Sequence, residues 1–193
     1  MSFAGQADGA ADAFLVRRAQ AGDRDAFAAL VVRYQGPVFR CCRRHLDAAE
    51  AEDAAQETFV RAYVHVQKID PGRPLLPWLV TIARRLALDR NRKHKPTLDV
   101  DAGDKPDPAR LEDRLQARTE LAIVANGIRT LKPIEQETLL LFHVECLSYA
   151  DIATVLALPI GTVMTHLHRG RAKLKALVDA PGTKTAVSQG APR

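Results

Sequence analysis

LSYADIATVLALPIGTVMTHLHRGRAKLKALV, Leu147 to Val178, is the stretch whose reading decides the fold of this chain. Ser148 is a good helix N-cap with Asp151 three residues on, close to a capping box although Glu or Gln is the usual partner. Ile152, Val155 and Leu156 form the apolar stripe of the helix that starts there. The pattern breaks at Ala157 and Leu158, and Pro159 sits where proline is tolerated, in the first turn of a new helix. Beyond it Val163, Leu167, Leu174, Leu177 and Val178 recur at helical spacing, which leaves Met164, Thr165, His168, Arg169, Arg171, Lys173 and Lys175 on the opposite face. Two short helices joined by a tight turn, the second basic, make a candidate helix-turn-helix whose second helix enters the DNA major groove. On this stretch alone, a solvated basic helix closing a bundle is the plainer alternative.

The chain has 193 residues, enough for one large or two small domains, and 47% apolar content with only 5% aromatic suits helical packing of Ala, Leu and Val. We expect an all-α chain of two small helical domains. A net charge of +5 and a pI near 9.3 favour a polyanionic partner, nucleic acid or an anionic membrane surface, without choosing between them. No stretch approaches the ~18 apolar residues of a membrane span, and MSFAGQADGAADAF at the start has neither a basic n-region nor a hydrophobic h-region. A cytoplasmic location with no membrane span is expected. Three cysteines, Cys41, Cys42 and Cys146, are odd in number and adjacent in one case, which argues against a disulfide framework. Cys42 with His45 and His143 with Cys146 are each three apart, so each pair shares a helical face, but neither has the spacing that nucleates a zinc site. No metal or cofactor is expected, and packed or idle thiols are the better reading.

Residues Met1 to Asp12 read as a flexible tail of Gly, Ala and Asp. Phe14 to Ala21 and Asp25 to Tyr34 read as helices, the second with Phe27, Leu30, Val31 and Tyr34 on one stripe, and Pro37 opens another helix to about Leu46. Asp47 to Asp53 leads into a longer helix reaching about Lys68, with Ala55, Phe59, Ala62 and Val66 inward and Asp53, Gln56, Glu57 and Arg61 outward. Acids at a helix start also serve the macrodipole, so capping alone would account for them. DPGRPLLP, Asp70 to Pro77, contains three prolines and a glycine and reads as a loop. It hands over at Trp78 to LVTIARRLALDRNRKHK, where Leu79, Ile82, Ala83 and Leu86 make the buried stripe and Arg84, Arg85, Arg90, Arg92, Lys93 and Lys95 stand against Asp89. A proline-rich loop beside a basic helix offers a pocket for an unstacked base and cations for a single strand.

Pro96 to Asp113 carries three prolines and six acids, Asp99, Asp101, Asp104, Asp107, Glu112 and Asp113, against Lys105 and Arg110. It reads as a flexible acidic linker over 96–114. Helices resume at about Leu115, Pro133 opens the helix IEQETLLLFHVEC, and 180–193 is a flexible C-terminal tail.

The order of these parts resembles the extracytoplasmic-function group of the bacterial sigma-70 family, the promoter-recognition subunits of RNA polymerase. AEDAAQETFVRAY (Ala51 to Tyr63), PWLVTIARRLALDRNRK (Pro77 to Lys93) and LSYADIATVLALPIGTVMTHLHRGRAKL (Leu147 to Leu174) carry the resemblance. It implies a region 2 bundle over 13–95, which binds core polymerase and recognises and melts the −10 element, and a region 4 helix-turn-helix over 115–179, which reads the −35 element. Asp53, Gln56 and Glu57 would then face the clamp of the polymerase large subunit, whose flap is a second implied contact. Lys68 to Leu76 would capture a flipped base, and Lys68, Arg73, Trp78, Arg84, Arg85, Asn91 and Arg92 would hold the −10 strand and adjoining duplex. Thr162, with backbone near Gly161, would touch phosphate, and Met164, Thr165, His168, Arg169 and Arg171 would serve the −35 element. Met164 and His166 stand where many members carry a basic residue or arginine, so base preference does not transfer. Ala157 replaces a frequent turn glycine, at some cost in backbone strain. The resemblance also implies an anti-sigma factor partner and a stress- or signal-responsive regulon.

No Gly-rich phosphate loop, nucleophile elbow or metal motif is present in the sequence, so this chain is not expected to be an enzyme. Two other readings remain open on sequence. A self-sufficient regulator with an N-terminal dimerising or sensing domain would explain the helix-turn-helix but not the basic helix or the acidic one. A protein-binding adaptor would use the apolar helices alone.

Overall fold

The computed structural model describes residues 4–94 and 124–179, and every regular element among them is helical. They form two compact units. The linker expected over 96–114, the start of the following domain at 115–123 and the tail at 180–193 lie outside the described residues.

In the first unit, α1 (Ala4–Gln20), α2 (Arg24–Arg43), α3 (Ala48–Val64) and α4 (Leu75–His94) form a bundle, with a short 3-10 turn at Val66–Lys68. α2 is central and packs on the other three, and α3 also packs on α4. Close approach of α3 follows from its small inward residues, since Ala51, Ala54, Ala55 and Ala62 are all buried. Two turns show why the chain folds back where it does. Gly22, at φ 93, ends α1 with its own N–H on the Ala19 carbonyl and the Asp23 N–H on the Arg18 carbonyl, an arrangement open to glycine at no steric cost. Asp23 then caps α2 by accepting from the Asp25 and Ala26 N–H groups, and Asp47 caps α3 by accepting from Glu50 N–H at 2.9 Å.

Three expectations need correction here. The first residues are no tail from Ala4 on: α1 starts there, because an Ala-rich segment has high helix propensity and Asp12 is buried against Arg33 and Tyr34 of α2. Pro37 does not open a helix but lies inside α2. Proline removes one backbone bond and crowds the preceding turn, yet Leu30 and Tyr34 before it and Val38, Cys41 and Cys42 after it are all buried, so packing holds both halves on one axis. The proline-rich loop is also shorter than read, since α4 begins at Leu75 and Pro77 falls within its first turn, where its missing N–H has no helical partner to lose.

Further along the chain come a helical stretch at 124–129 (α5), then α6 (Pro133–His143), α7 (Tyr149–Leu156) and α8 (Ile160–Val178). α6 packs on α8 so closely that a Cβ on Gly170 would come within 2.6 Å of Leu139 Cδ1. Leu139, Leu141, Ile152, Val155, Leu156, Val163 and Leu167 are buried.

Candidate nucleic-acid interface

The helix-turn-helix is built as its sequence pattern predicts. Ser148 Oγ accepts from Asp151 N–H at 3.1 Å and donates to Asp151 Oδ2 at 2.6 Å, while the same carboxylate accepts a long bond from Ser148 N–H at 3.4 Å. α7 ends on Ala157 at φ 54, with Leu158 N–H on the Ala153 carbonyl and Ala157 N–H on the Thr154 carbonyl. An alanine thus occupies the left-handed position that glycine would fill without strain. Pro159 sits one place earlier than expected, as the N-cap of α8 rather than in its first turn. The axes of α7 and α8 turn through 103° at this break, within the range of helix-turn-helix pairs.

Val163, Leu167 and Gly170 of α8 are buried, Gly170 against α6, whereas Met164, Thr165, His168 and Arg169 are exposed, with Thr162 half-buried at the start of the helix. No described residue pairs with His168 or Arg169. Thr165 Oγ1 donates to the Gly161 carbonyl at 2.9 Å, which fixes its rotamer and keeps its lone pairs outward. Leu177, expected on the buried stripe, is 40% exposed. Arg171 differs from its neighbours. Its guanidinium stacks over the Phe142 ring at 4.8 Å and its Nε donates to His143 Nε2 at 3.2 Å, so this cation is held on α6. Burial, and then the Arg171 charge, holds the His143 ring below the usual histidine range. Lys173 is likewise held, by Glu135 at 2.6 Å, and this bond keeps the buried Glu135 carboxyl below the usual range.

In the first unit, Trp78, Arg85 and Arg92 are seven residues apart in turn and share one face of α4. Arg85 and Arg92 are exposed, with Arg92 paired to Asp89, while Trp78, Arg84 and Asn91 are half-buried. Arg85, Leu88, Asp89, Asn91 and Arg92 line a shallow cleft of about 300 Å³. At the other end of α4 the loop is shaped by Asp70, whose Oδ1 accepts from Gly72 N–H at 2.8 Å and whose Oδ2 lies 3.4 Å from Arg73. Lys68, in the 3-10 turn, and Arg73 are both exposed there. A clamp that sequence patterning does not show fixes the loop to α1: Gln20 Nε2 donates to the Val66 and Ile69 carbonyls, and Gln67 Nε2 returns a bond to the Gln20 carbonyl.

On α3, Asp53 and Gln56 are exposed as expected. Glu57 is not available in the same way, because Arg61 holds one carboxylate oxygen and Arg90 of α4 the other, with the Arg90 bond the first cause of its lowered pKa. Arg90 was legible in the sequence only as one more charge. A further surface went unread: shallow grooves between α2 and α3, lined at one end by Phe27, Val31, Val32 and Tyr63 and at the other by Gln35, Phe39, Glu52 and Gln56. Val32, Val60 and Val64 stand about two-thirds exposed beside them. Apolar residues off the inward stripe were the signal that could have revealed it.

Among the described residues no group of three or more Cys, His, Asp or Glu side chains could hold a metal ion. Cys42 is buried, and that burial pushes its thiol up to about 11.

Residues 30–97 match the family Sigma-70 region 2, and residues 121–174 match Sigma-70, region 4. The ECF RNA polymerase sigma factor SigW of Bacillus subtilis is 34% identical over 173 residues, covering 83% of this chain and 92% of that protein. The chain belongs to the extracytoplasmic-function group of the sigma-70 family. Another sigma factor of this group, CnrH of Cupriavidus metallidurans, is 32% identical over 189 residues, covering 90% of this chain and 97% of that one. The structure of CnrH in complex with the cytosolic domain of CnrY superposes with a TM-score of 0.64 at 30% identity, covering 89% of this chain and 99% of that one. The sigma factor RpoE from Bartonella quintana, solved in complex with the anti-sigma factor NepR, has the same fold, with a TM-score of 0.61 at 20% identity over 80% of this chain and 98% of that one. The described residues of this sigma factor form helices and no strand, and no single described helix is long and apolar enough to cross a membrane.

Proposed function

We propose that the chain docks on core RNA polymerase through α3 and the α2–α3 grooves, holds the melted −10 strand with the loop around Arg73 and the face of α4, and reads the −35 element with α8. Residues 13–95 and 115–179 are the two working domains of this reading. The observation that carries it is the outward face of α8, where Thr165, His168 and Arg169 are presented by a helix pair crossed at 103°. Asp53 and Gln56 supply the docking charge and amide, and the exposed valines beside them supply apolar area of the kind that buries on association. Polymerase performs the chemistry, in the cytoplasm, and this chain supplies address and strand opening. Two weak DNA contacts tethered together raise each other's effective concentration. An anti-sigma factor holds the free chain; the complexes recorded for CnrH and RpoE support that partner.

Run-off transcription with core polymerase on a genomic library tests the reading and reports the promoter. Transcripts that need both the chain and core polymerase are expected. A promoter fragment that co-elutes with the chain alone, and no dependence on polymerase, would replace this reading with a self-sufficient regulator.

A further inference from the structure

Glu57 lies on α3 beside the outward-facing Asp53 and Gln56, yet its carboxylate is engaged within the chain. Arg61 reaches Oε1 through Nη2 at 2.5 Å and Nε at 3.0 Å, and Arg90 of α4 reaches Oε2 at 2.7 Å. The same Arg90 guanidinium donates a longer bond, 3.4 Å, to the Glu50 carbonyl, so one side chain spans two turns of α3. The tie falls where the apolar packing of α4 runs out. Leu86 and Ala87 are buried, but from Leu88 to Lys93 no side chain is. That last stretch carries Leu88, Asp89, Asn91 and Arg92, four of the five residues that line the cleft, with Arg85 the fifth.

We propose that Glu57 is a positioning residue: its pair with Arg90 seats the end of α4 on α3 and so fixes where Asn91 and Arg92 hold the melted strand relative to the helix that docks on polymerase. The inference rests on the sigma-factor reading above. Three guanidinium N–H bonds occupy most of the acceptor capacity of one carboxylate, which leaves little for an outside partner. The Glu57 and Arg90 side chains are 34% and 28% exposed, so their pair contributes modestly to fold stability, and its effect lies in orientation. A lysine or a lone arginine at position 90 with no acid opposite would satisfy composition equally well but would not set the helix end.

The test uses the full chain with core polymerase and three variants, Glu57→Gln, Arg90→Gln and the two together. Affinity for core polymerase is read by competition against labelled wild-type chain, and strand opening by permanganate reactivity at a promoter the wild type uses. All three variants should keep polymerase affinity within about twofold while opening falls about fivefold, the upper size expected for one partly exposed ion pair. The double variant should fall no further than either single one. Loss of polymerase affinity in Glu57→Gln but not in Arg90→Gln would overturn the proposal and return Glu57 to the docking surface. Additive opening defects would also overturn it, as would opening and affinity falling together with melting temperature, which marks a general structural role. A wild-type chain that directs no transcription with core polymerase would defeat the sigma-factor reading itself, a result distinct from any Glu57 phenotype.

Discussion

Ala157 holds φ 54, a left-handed conformation that costs a Cβ-bearing residue about 1–2 kcal/mol. Glycine avoids that strain but gives back about 0.4–1 kcal/mol through its freer unfolded chain. Ala157→Gly should therefore stabilise the helix-turn-helix by about 0.5 kcal/mol, seen as a higher denaturation midpoint at unchanged slope. A lower midpoint would show that the turn is not strained. Asp53 offers a cleaner probe of docking than Glu57 does, because it is exposed whereas Glu57 is tied to Arg61 and Arg90. Asp53→Lys should abolish copurification with core polymerase and leave melting unchanged, since an exposed helix charge contributes little to stability. Wild-type stoichiometry in the pull-down would remove α3 from the docking surface.

At the scale of elements, the α6–α8 contact carries a pH dependence. The His143 ring is held below its ordinary 6.5 by burial first and by Arg171 second. The unfolded chain therefore takes up a proton at a higher pH than the folded one does. This contribution to stability is complete above about pH 6.5 and is lost as pH falls from there through the lowered folded value. Glu135, held low by Lys173, adds a second loss below its ordinary 4.5. Protection of the α6 and α8 amides against hydrogen exchange, relative to their free-chain rates, should fall as pH drops below about 6.5, and His143→Gln should flatten that response. An unchanged slope in the variant would assign the effect elsewhere. Elements of this kind were unevenly legible in the sequence. Ile152, Val155, Leu156, Val163 and Leu167 were placed on buried stripes by spacing alone, and all five are buried, because helical periodicity reports a helix's own inward face. Pro37 misled because a proline rule is local, whereas the packing that overrides it comes from three neighbouring helices. Glu57 and Arg90 are 33 residues apart, Arg171 and His143 are 28, and no periodicity reports which side chain across a helix crossing will meet which.

On the scale of the whole molecule, address and strand opening should be separable. Arg169→Ala should cost about 1–3 kcal/mol on the preferred −35 sequence and weaken discrimination at one position. Arg85→Ala should weaken binding across sequences and lower the salt slope by about one unit per phosphate contact removed. A template bubbled in advance at the −10 element should restore much of the Arg85→Ala defect and none of the Arg169→Ala selectivity. Equal restoration of both would mean the division of labour is mistaken. The start of the chain has a practical bearing on such experiments. Composition alone invites trimming the protein at residue 12, but the acid there is only 5% exposed and accepts from Arg33 at 2.6 Å and from the Tyr34 hydroxyl. Cutting just past it would strip a buried carboxylate acceptor from the central helix, a loss of about 1–3 kcal/mol. A protein trimmed that way would enter every assay with a loosened bundle, and weak polymerase binding measured on it would report the scissors rather than the interface.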